Sequence, residues 1–511
     1  MTAHGDQPDL LIIGSGIMGA SVARLVRESL PHAHIVMVDG APSIGSVPGL
    51  HLHDSADPEV WARYNTKVSS GIQAMYAGAD LATHLEGGIT TADPGIYRLG
   101  AFGEQAGSMP AAAMSWNLGG MGVHWTAATP FPLGEERFDD GDPEQWERDL
   151  ETARRILYVD PGPLGATAAG ARVLEVFEEL FPLPRRARLM PMAVAEGPNG
   201  TLIRSGPSRI WPGMLGDDDR FTLLDNSLAV ELVHDGSIVS GARIRDPRTG
   251  SERVISAAAT VVCADAIRTP QLLFASGIRP RALGAYLNEH AFITSRVLLD
   301  LDRLGLTIDE LPRPKPGEFA TDALWLPHND DAQPFHGQVT GVVYVDDDDT
   351  ALAYSTGISL YSPVESRESN RLVFSETELD ATGMPLIDVE FEYSESDRAR
   401  IDDALDLAEK IARRLGDFDP HTERALLPPG SSLHQTGTVR SGPVDDSTSV
   451  CDPDGRVWNF RNLFLAGNGV VPTPVVCNAT LTGVITAVRA SRAIVDTLDL
   501  TASEKEHHAT A

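Results

Sequence analysis

At 511 residues and 42% hydrophobic content, the chain has room for two or three domains with sizeable cores. Its 72 acidic residues against 41 basic ones give a formal charge of −31, and no Lys/Arg-rich run compensates. A field of that sign argues against nucleic acid and against anionic membrane surfaces as partners. Cys263, Cys451 and Cys477 are too few for a disulfide framework and lack metal-ligand spacing, so a reducing compartment and no bound metal are expected. Residues 1–9 are polar and acidic, without the basic n-region and apolar core of a secretion signal. No apolar run reaches the roughly 18 residues of a membrane span. A soluble, cytoplasmic protein is the expectation.

In chain order, Leu10-Leu11-Ile12-Ile13 is a short apolar run that reads as a buried strand. Gly14-Ser15-Gly16-Ile17-Met18-Gly19 follows, then an amphipathic helix over residues 20–30 and a second strand over residues 35–38, closed by Asp39. This is the dinucleotide-binding pattern in its required context. Gly14, Gly16 and Gly19 permit a tight turn and close approach of a pyrophosphate, whose negative charge faces a helix N-terminus. Asp39 is placed to accept from ribose hydroxyls. The motif alone leaves NAD and FAD both open.

Residues 42–107 are mixed, with a helix expected over 58–76 and Gly/Thr-rich loops after it. Gly119, Gly120 and Gly122 then stand within four positions, followed by His124, Trp125, Thr126 and Thr129. Glycines so dense let a backbone pass close against another object. Here the approach ends in an imidazole able to donate, accept or form a covalent bond.

Helices are expected over 143–157 and 166–180, with a basic, proline-containing surface loop over 182–188 between the second helix and a run of strands. Segments 221–233, 237–244, 252–256 and 259–263 read as a small β-meander ending in a buried strand. A helix follows with Pro270 in its first turn, where the missing N–H is not needed. Between residues 291 and 394 the pattern turns β-rich, in segments 292–301, 338–345, 351–362, 372–378 and 386–393. Long strands in succession predict a mainly antiparallel sheet and hence a second domain. An amphipathic helix over 396–415 follows. Asp346 to Asp349 reads as a solvated turn, and the tail after Thr501 as disordered.

The C-terminal part carries Leu433-His434-Gln435-Thr436-Gly437-Thr438-Val439-Arg440, then Asn462-Leu463-Phe464-Leu465-Ala466-Gly467-Asn468-Gly469. Cys477-Asn478-Ala479-Thr480-Leu481-Thr482 precedes an apolar helix over 483–498. The 463–466 strand running into Gly467 closes a Rossmann-type sheet, and the helix N-terminus behind it suits an electron-rich ring or a phosphate.

With these motifs the chain resembles the glucose-methanol-choline (GMC) flavoprotein oxidoreductases. The N-terminal fingerprint, Thr269-Pro270-Gln271-Leu272-Leu273, the 434–440 motif and the 462–482 block carry the resemblance. Within that family, residues 119–130 and 478–482 are most similar to pyranose oxidase and the bacterial glycoside 3-oxidases. The resemblance implies an α/β protein with a Rossmann-type FAD-binding domain, of the kind shared with p-hydroxybenzoate hydroxylase. Beside it stands an α+β substrate domain built on a mainly antiparallel sheet. The implied division assigns residues 1–115, 160–290 and 440–502 to FAD, 116–159 and 291–439 to substrate, and 503–511 to a disordered tail.

By the same resemblance His434 is the catalytic base and Asn478 its partner, both also touching substrate. The chemistry asks for such a pair. A hydroxyl proton must leave as the C–H bond of a secondary carbinol breaks, and a neutral imidazole can take it. An amide can hold and orient the oxygen. Gly14, Gly16, Gly19, Asp39, Gly120, Gly467, Asn468 and Thr480 are implied on the cofactor, and Thr126 beside its N5.

His124 aligns with the histidine that carries FAD covalently in pyranose oxidases. Gly122-Val123 replaces the hydroxyl-bearing pair before it, so linkage and non-covalent packing are both open. Gln338 resembles a sugar-contacting residue and is equally an edge-strand position.

The expected reaction is oxidation of a secondary ring hydroxyl to a ketone, first at C3 of a glucoside, C-glycosides included. The alternatives are C2 of free glucose, another GMC alcohol oxidation, and an FAD-binding lyase. Oxygen or another acceptor would reoxidise the flavin, in a monomer or small homo-oligomer.

Overall fold

The computed structural model describes residues 7–62, 85, 88–138, 140–211, 218–348 and 350–509, with side chains through residue 500. The helix expected over 58–76 therefore lies largely outside the described residues. In the N-terminal half the framing elements are β1 (Leu10–Ile13), α1 (Ile17–Ser29), β2 (Ile35–Val38), α2 (Pro143–Leu157) and α3 (Ala168–Leu180). The middle contributes β3 (Phe221–Leu224), β4 (Ala259–Val262), α4 (Asp265–Ala275), β5 (Ala291–Leu298), β6 (Asp322–Leu326), β7 (His336–Val345) and β8 (Ala351–Ser362). The last part adds α5 (Glu395–Leu415), β9 (Arg424–Leu426), β10 (Leu463–Leu465) and α6 (Ala479–Ala509).

β10, β4, β1, β2 and β3 lie side by side in that order, all parallel. Their side chains alternate between two cores, as the period of a strand requires. Leu10, Ile12, Ile35, Met37, Val261 and Phe464 pack with α1, α2 and α6 on one face. Leu11, Ile13, Val36, Val38, Val262 and Leu465 face α4 and a three-stranded meander on the other. The meander is Leu228–His234, Val239–Arg245 and Glu252–Ser256. The strand pieces expected at its two ends belong instead to the parallel sheet as β3 and β4.

The second sheet runs β9, β5, β8, β7, β6 and the short Arg188–Leu189 strand, every pair antiparallel. Arg188, expected in a surface loop, thus sits on the sheet's edge, its guanidinium 4.5 Å from the Trp325 ring. α3 and α5 cover one face through Val173, Phe177, Ile293, Val297, Ile358, Ala408 and Ile411. Segments Arg371–Leu379 and Pro385–Glu390, expected in this sheet, form a two-stranded sheet of their own, with single bridges to Ala285 and Gln105, and pack on a separate cluster with Tyr97, Phe102 and Trp116.

Packing also crosses the division drawn at residue 160. α2, expected on the substrate side, buries Trp146, Ala153 and Leu157 beside the parallel sheet. Its Asp149 accepts from Arg489 (3.2 Å) and Arg492 (2.9 Å) of α6. α3, expected with the nucleotide domain, covers the antiparallel sheet.

Pro270 stands mid-helix in α4 rather than in its first turn. The carbonyl that its missing N–H leaves free, that of Ala266, accepts from Thr438 Oγ1 at 2.5 Å. Two helix ends also shift. α1 starts at Ile17, which puts Gly19 inside its first turn, and α6 starts at Ala479, so Asn478 immediately precedes it. The backbone of α6 continues to Ala509, where a disordered tail was expected. Among the described residues no helix is long and apolar enough to cross a membrane, and no cluster of side chains could hold a metal ion.

Candidate active site between the two sheets

Gly14 has φ +104°, and a Cβ there would strike the Cys263 carbonyl at the end of β4. A Cβ on Gly19 would collide with the Gly14 carbonyl oxygen. At the same crossing a Cβ added to Gly120 would come within van der Waals distance of the Gly16 Cα, and one added to Gly16 within van der Waals distance of the Gly119 carbonyl oxygen. The fingerprint therefore packs three backbones together without side chains, leaving the α1 N-terminus open to a cleft. That cleft has a volume of about 270 Å³. Gly14, Gly16, Asp39, Gly120, His434, Gly467, Asn468 and Thr480 all line it, whereas Gly19 lies beneath it.

Asp39 accepts from Ser15 Oγ (2.5 Å) and Ser15 N (3.1 Å), and burial pushes its carboxyl up to about 6. Ser15 Oγ in turn accepts from Gly119 N (2.8 Å). Ser15 thus ties Asp39 to the second glycine segment.

Gly119 and Gly120, with φ of +88° and +56°, turn that segment along the cleft, and Met121, Gly122 and Trp125 line it. His124 lines neither this cleft nor the cavity described next. Its Nε2 lies 2.8 Å from Asn117 Oδ1, so it donates there. His51, outside every sequence motif, accepts from His53 N at Nδ1 (3.2 Å) and donates from Nε2 to the Trp125 carbonyl (2.8 Å). The chain then reverses at Ala127 (φ +65°) and carries Thr126 to the second sheet.

There a second cavity of about 300 Å³ lies on the open face of the antiparallel sheet. Gln338 and Thr340 of β7 and Ser355, Gly357 and Ser359 of β8 form its floor. Met190, Met192 and Phe319 contribute apolar walls, and Thr126 sits at its rim.

A row of hydrogen bonds joins cleft and cavity. Gln338 Nε2 donates to Asn478 Oδ1. Asn478 Nδ2 lies 3.3 Å from His434 Nε2, and His434 Nδ1 lies 2.8 Å from His290 Nε2. His290 Nδ1 is 3.2 Å from the Val475 carbonyl. Burial pushes His434 down to about 4, so at neutral pH the ring is uncharged. The predicted pair, His434 and Asn478, is thus assembled from residues 44 apart, with Gln338 bonded to the amide rather than standing alone on a strand.

Several residues that hold this row carry no sequence motif. Glu289 accepts from Gly430 N (2.5 Å), Ser432 Oγ (2.7 Å) and Gln435 Nε2 (3.1 Å), caging the loop that presents His434. Burial pushes its carboxyl up to about 7. Glu136 Oε1 accepts from Val476 N (2.8 Å) and Cys477 N (2.6 Å), and Oε2 from Leu133 N (3.0 Å) and His328 Nε2 (3.0 Å). Despite its burial, these partners hold Glu136 below the ordinary carboxylate range. Trp325 Nε1 donates to His336 Nδ1 (2.9 Å), which leaves the His336 proton on Nε2, on the Asn478 side.

Residues 366–487 match the model of the C-terminal domain described as GMC oxidoreductase. Over 504 residues the chain is 37% identical to a C-glycoside 3-oxidase from Microbacterium trichothecenolyticum, covering 96% of this chain and 97% of that protein. The chain belongs to the GMC oxidoreductase family. A pyranose 2-oxidase from Tricholoma matsutake is 25% identical over 96% of this chain and 94% of its own length. A crystal structure of pyridoxine 4-oxidase from Mesorbium loti superposes with a TM-score of 0.65 at 16% identity, covering 95% of this chain and 99% of that one. That last likeness concerns the fold.

GMC oxidoreductases are flavoproteins, and this member has the cradle one needs. A Cβ at Gly14 or Gly19 has no room, and Asn468 Oδ1 is a buried acceptor without a protein donor among the described residues, on the wall of the cleft.

Proposed function

We propose that this GMC oxidoreductase binds FAD in the cleft beside the parallel sheet and oxidises the C3 hydroxyl of a glycoside, C-glycosides included, to a ketone. The observation that carries the reading is the Gln338–Asn478–His434 row, which spans from the cavity on the antiparallel sheet to the cleft. Gly14, Gly16, Gly19, Asp39, Gly120, Gly467, Asn468 and Thr480 would hold the cofactor, with Thr126 at the junction of the two spaces. When bound, FAD supplies the hydride acceptor.

The chain's own residues do the rest. His434 Nε2 takes the hydroxyl proton, and its low basicity in the buried site keeps it unprotonated and ready at neutral pH. Asn478 Nδ2 donates toward the same point and holds the developing alkoxide. Gln338 fixes the amide by occupying its oxygen and borders the sugar. The hydroxyl-bearing floor and the apolar wall of Met190, Met192 and Phe319 offer polar and apolar surface side by side, which supports a glycoside over free glucose. So does the 37% identity to a C-glycoside 3-oxidase. Of the two alternatives for His124, its bond to Asn117 supports non-covalent FAD.

The test is incubation with glucose and with O- and C-glucosides under air, followed by NMR of the products. A 3-keto glycoside is expected. A 2-keto product from free glucose as the preferred outcome would overturn the regiochemistry, and no ketone from any sugar would overturn the function. His434→Ala should retain FAD and lose its bleaching by substrate under anaerobic conditions.

A further inference from the structure

His290 lines neither space, is 1% exposed, and packs its ring on Tyr361 (centroids 4.5 Å apart) and edge-on to His434 (4.9 Å, 89°). Its two nitrogens have unlike partners. Nδ1 faces the Val475 carbonyl at 3.2 Å, and a carbonyl can only accept, so the proton of His290 is on Nδ1. Nε2 therefore carries the lone pair and must receive a hydrogen bond from His434 Nδ1 at 2.8 Å. That settles the other ring too. With its proton committed at Nδ1, His434 has a lone pair at Nε2, the nitrogen that Asn478 Nδ2 approaches at 3.3 Å.

The alternative, a charged His290 donating from Nε2, is opposed by burial and by the two neighbouring rings, which outweigh the backbone hydrogen bonds at Val475 and Val476. Burial, with the His434 and His336 rings nearby, holds His290 well below the ordinary histidine range.

We propose that His290 is the positioning residue that fixes His434 as the Nδ1–H tautomer and so presents its Nε2 lone pair to the substrate hydroxyl. This rests on the reading of His434 as the base. In the step itself the substrate O–H bond breaks and an N–H bond forms at His434 Nε2. The Nδ1 proton stays shared with His290, and the hydride leaves with its electron pair to FAD. His290 gains and loses nothing. Its contribution is to make the wrong tautomer, with the proton already at Nε2, cost a hydrogen bond in a buried site.

The direct readout is the tautomer. In histidine-¹⁵N-labelled holoprotein, with His434 signals assigned by their loss in His434→Gln, wild type should show an unprotonated Nε2 and a protonated Nδ1. His290→Leu should shift His434 toward protonated Nε2. It should also slow anaerobic flavin bleaching about 10²- to 10⁴-fold, with little change in the half-saturating glycoside concentration. His290→Gln, whose amide oxygen can still accept from Nδ1, should recover most of the rate.

A wild-type bleaching rate in His290→Leu, or a protonated Nε2 in the wild type, would overturn the proposal. The wild-type spectrum decides even where the leucine variant fails to fold. Undiminished bleaching in His434→Ala would instead overturn the base assignment, and the tautomer result would stand apart from it.

Discussion

Replacing Glu136 by Gln tests how the amide half of the proposed His434–Asn478 pair is held. Glu136 is a buried carboxylate with four partners, two on each oxygen. A glutamine keeps one oxygen, which can still accept from Val476 N and Cys477 N just before Asn478. The new NH₂ then faces Leu133 N–H and His328, where a donor meets a donor. Two hydrogen bonds to a charged group are lost, at about 1.5–3 kcal/mol each, so the expected destabilisation is about 3–6 kcal/mol.

If the side chain instead turns its NH₂ toward residues 476 and 477, the loss falls on the segment leading into Asn478, and turnover suffers as well. The assay pairs a denaturation midpoint, apo and with FAD, with the rate of anaerobic flavin bleaching by a glucoside. The expected result is a clearly lowered midpoint in both forms, with bleaching slowed where Asn478 is displaced. An unchanged midpoint together with an unchanged rate would refute the reasoning, because a buried carboxylate with four donors would then be contributing nothing.

Other consequences follow from the same geometry. On the acid side, kcat/KM should fall only as pH drops through about 4, the value to which burial pushes His434, because a base lowered from the ordinary 6.5 stays unprotonated further into acid; an acid limb near 6.5 would contradict this. Gly19→Ala should yield protein unable to retain FAD, since the added Cβ meets the Gly14 carbonyl that shapes the cleft; yellow protein with normal FAD content would refute it. Acid precipitation of the holoprotein should leave the yellow colour in the supernatant, and colour that stays with the pellet would show a bond to His124.

How much of this was legible in the chain depends on the distance between partners. The strand, three glycines, helix and acid of the nucleotide motif lie within residues 10–39, and local sterics alone demand them: Gly14 needs positive φ and Gly19 has no room for a side chain. Apolar strand patterns made β7 and β8, and a 3.6-residue apolar face made α5, readable nearly to the residue. His434 and Asn478 could be singled out because each sits in a segment that resembles the family's, whereas Gln338 had only a loose resemblance and was equally an edge-strand position.

Tertiary structure alone decided the rest. No local pattern tells that Glu136 cages residues 476 and 477, more than 330 positions away, or that His290 meets His434 across 144. A buried carboxylate or imidazole is specified by the partners that repay its desolvation, and those come together only when the two sheets face each other. For the same reason the hairpin at residues 371–390 was indistinguishable in sequence from strands of the main sheet. Alternation fixes which side of a strand is buried, and the neighbours it meets depend on where the connecting chain carries it.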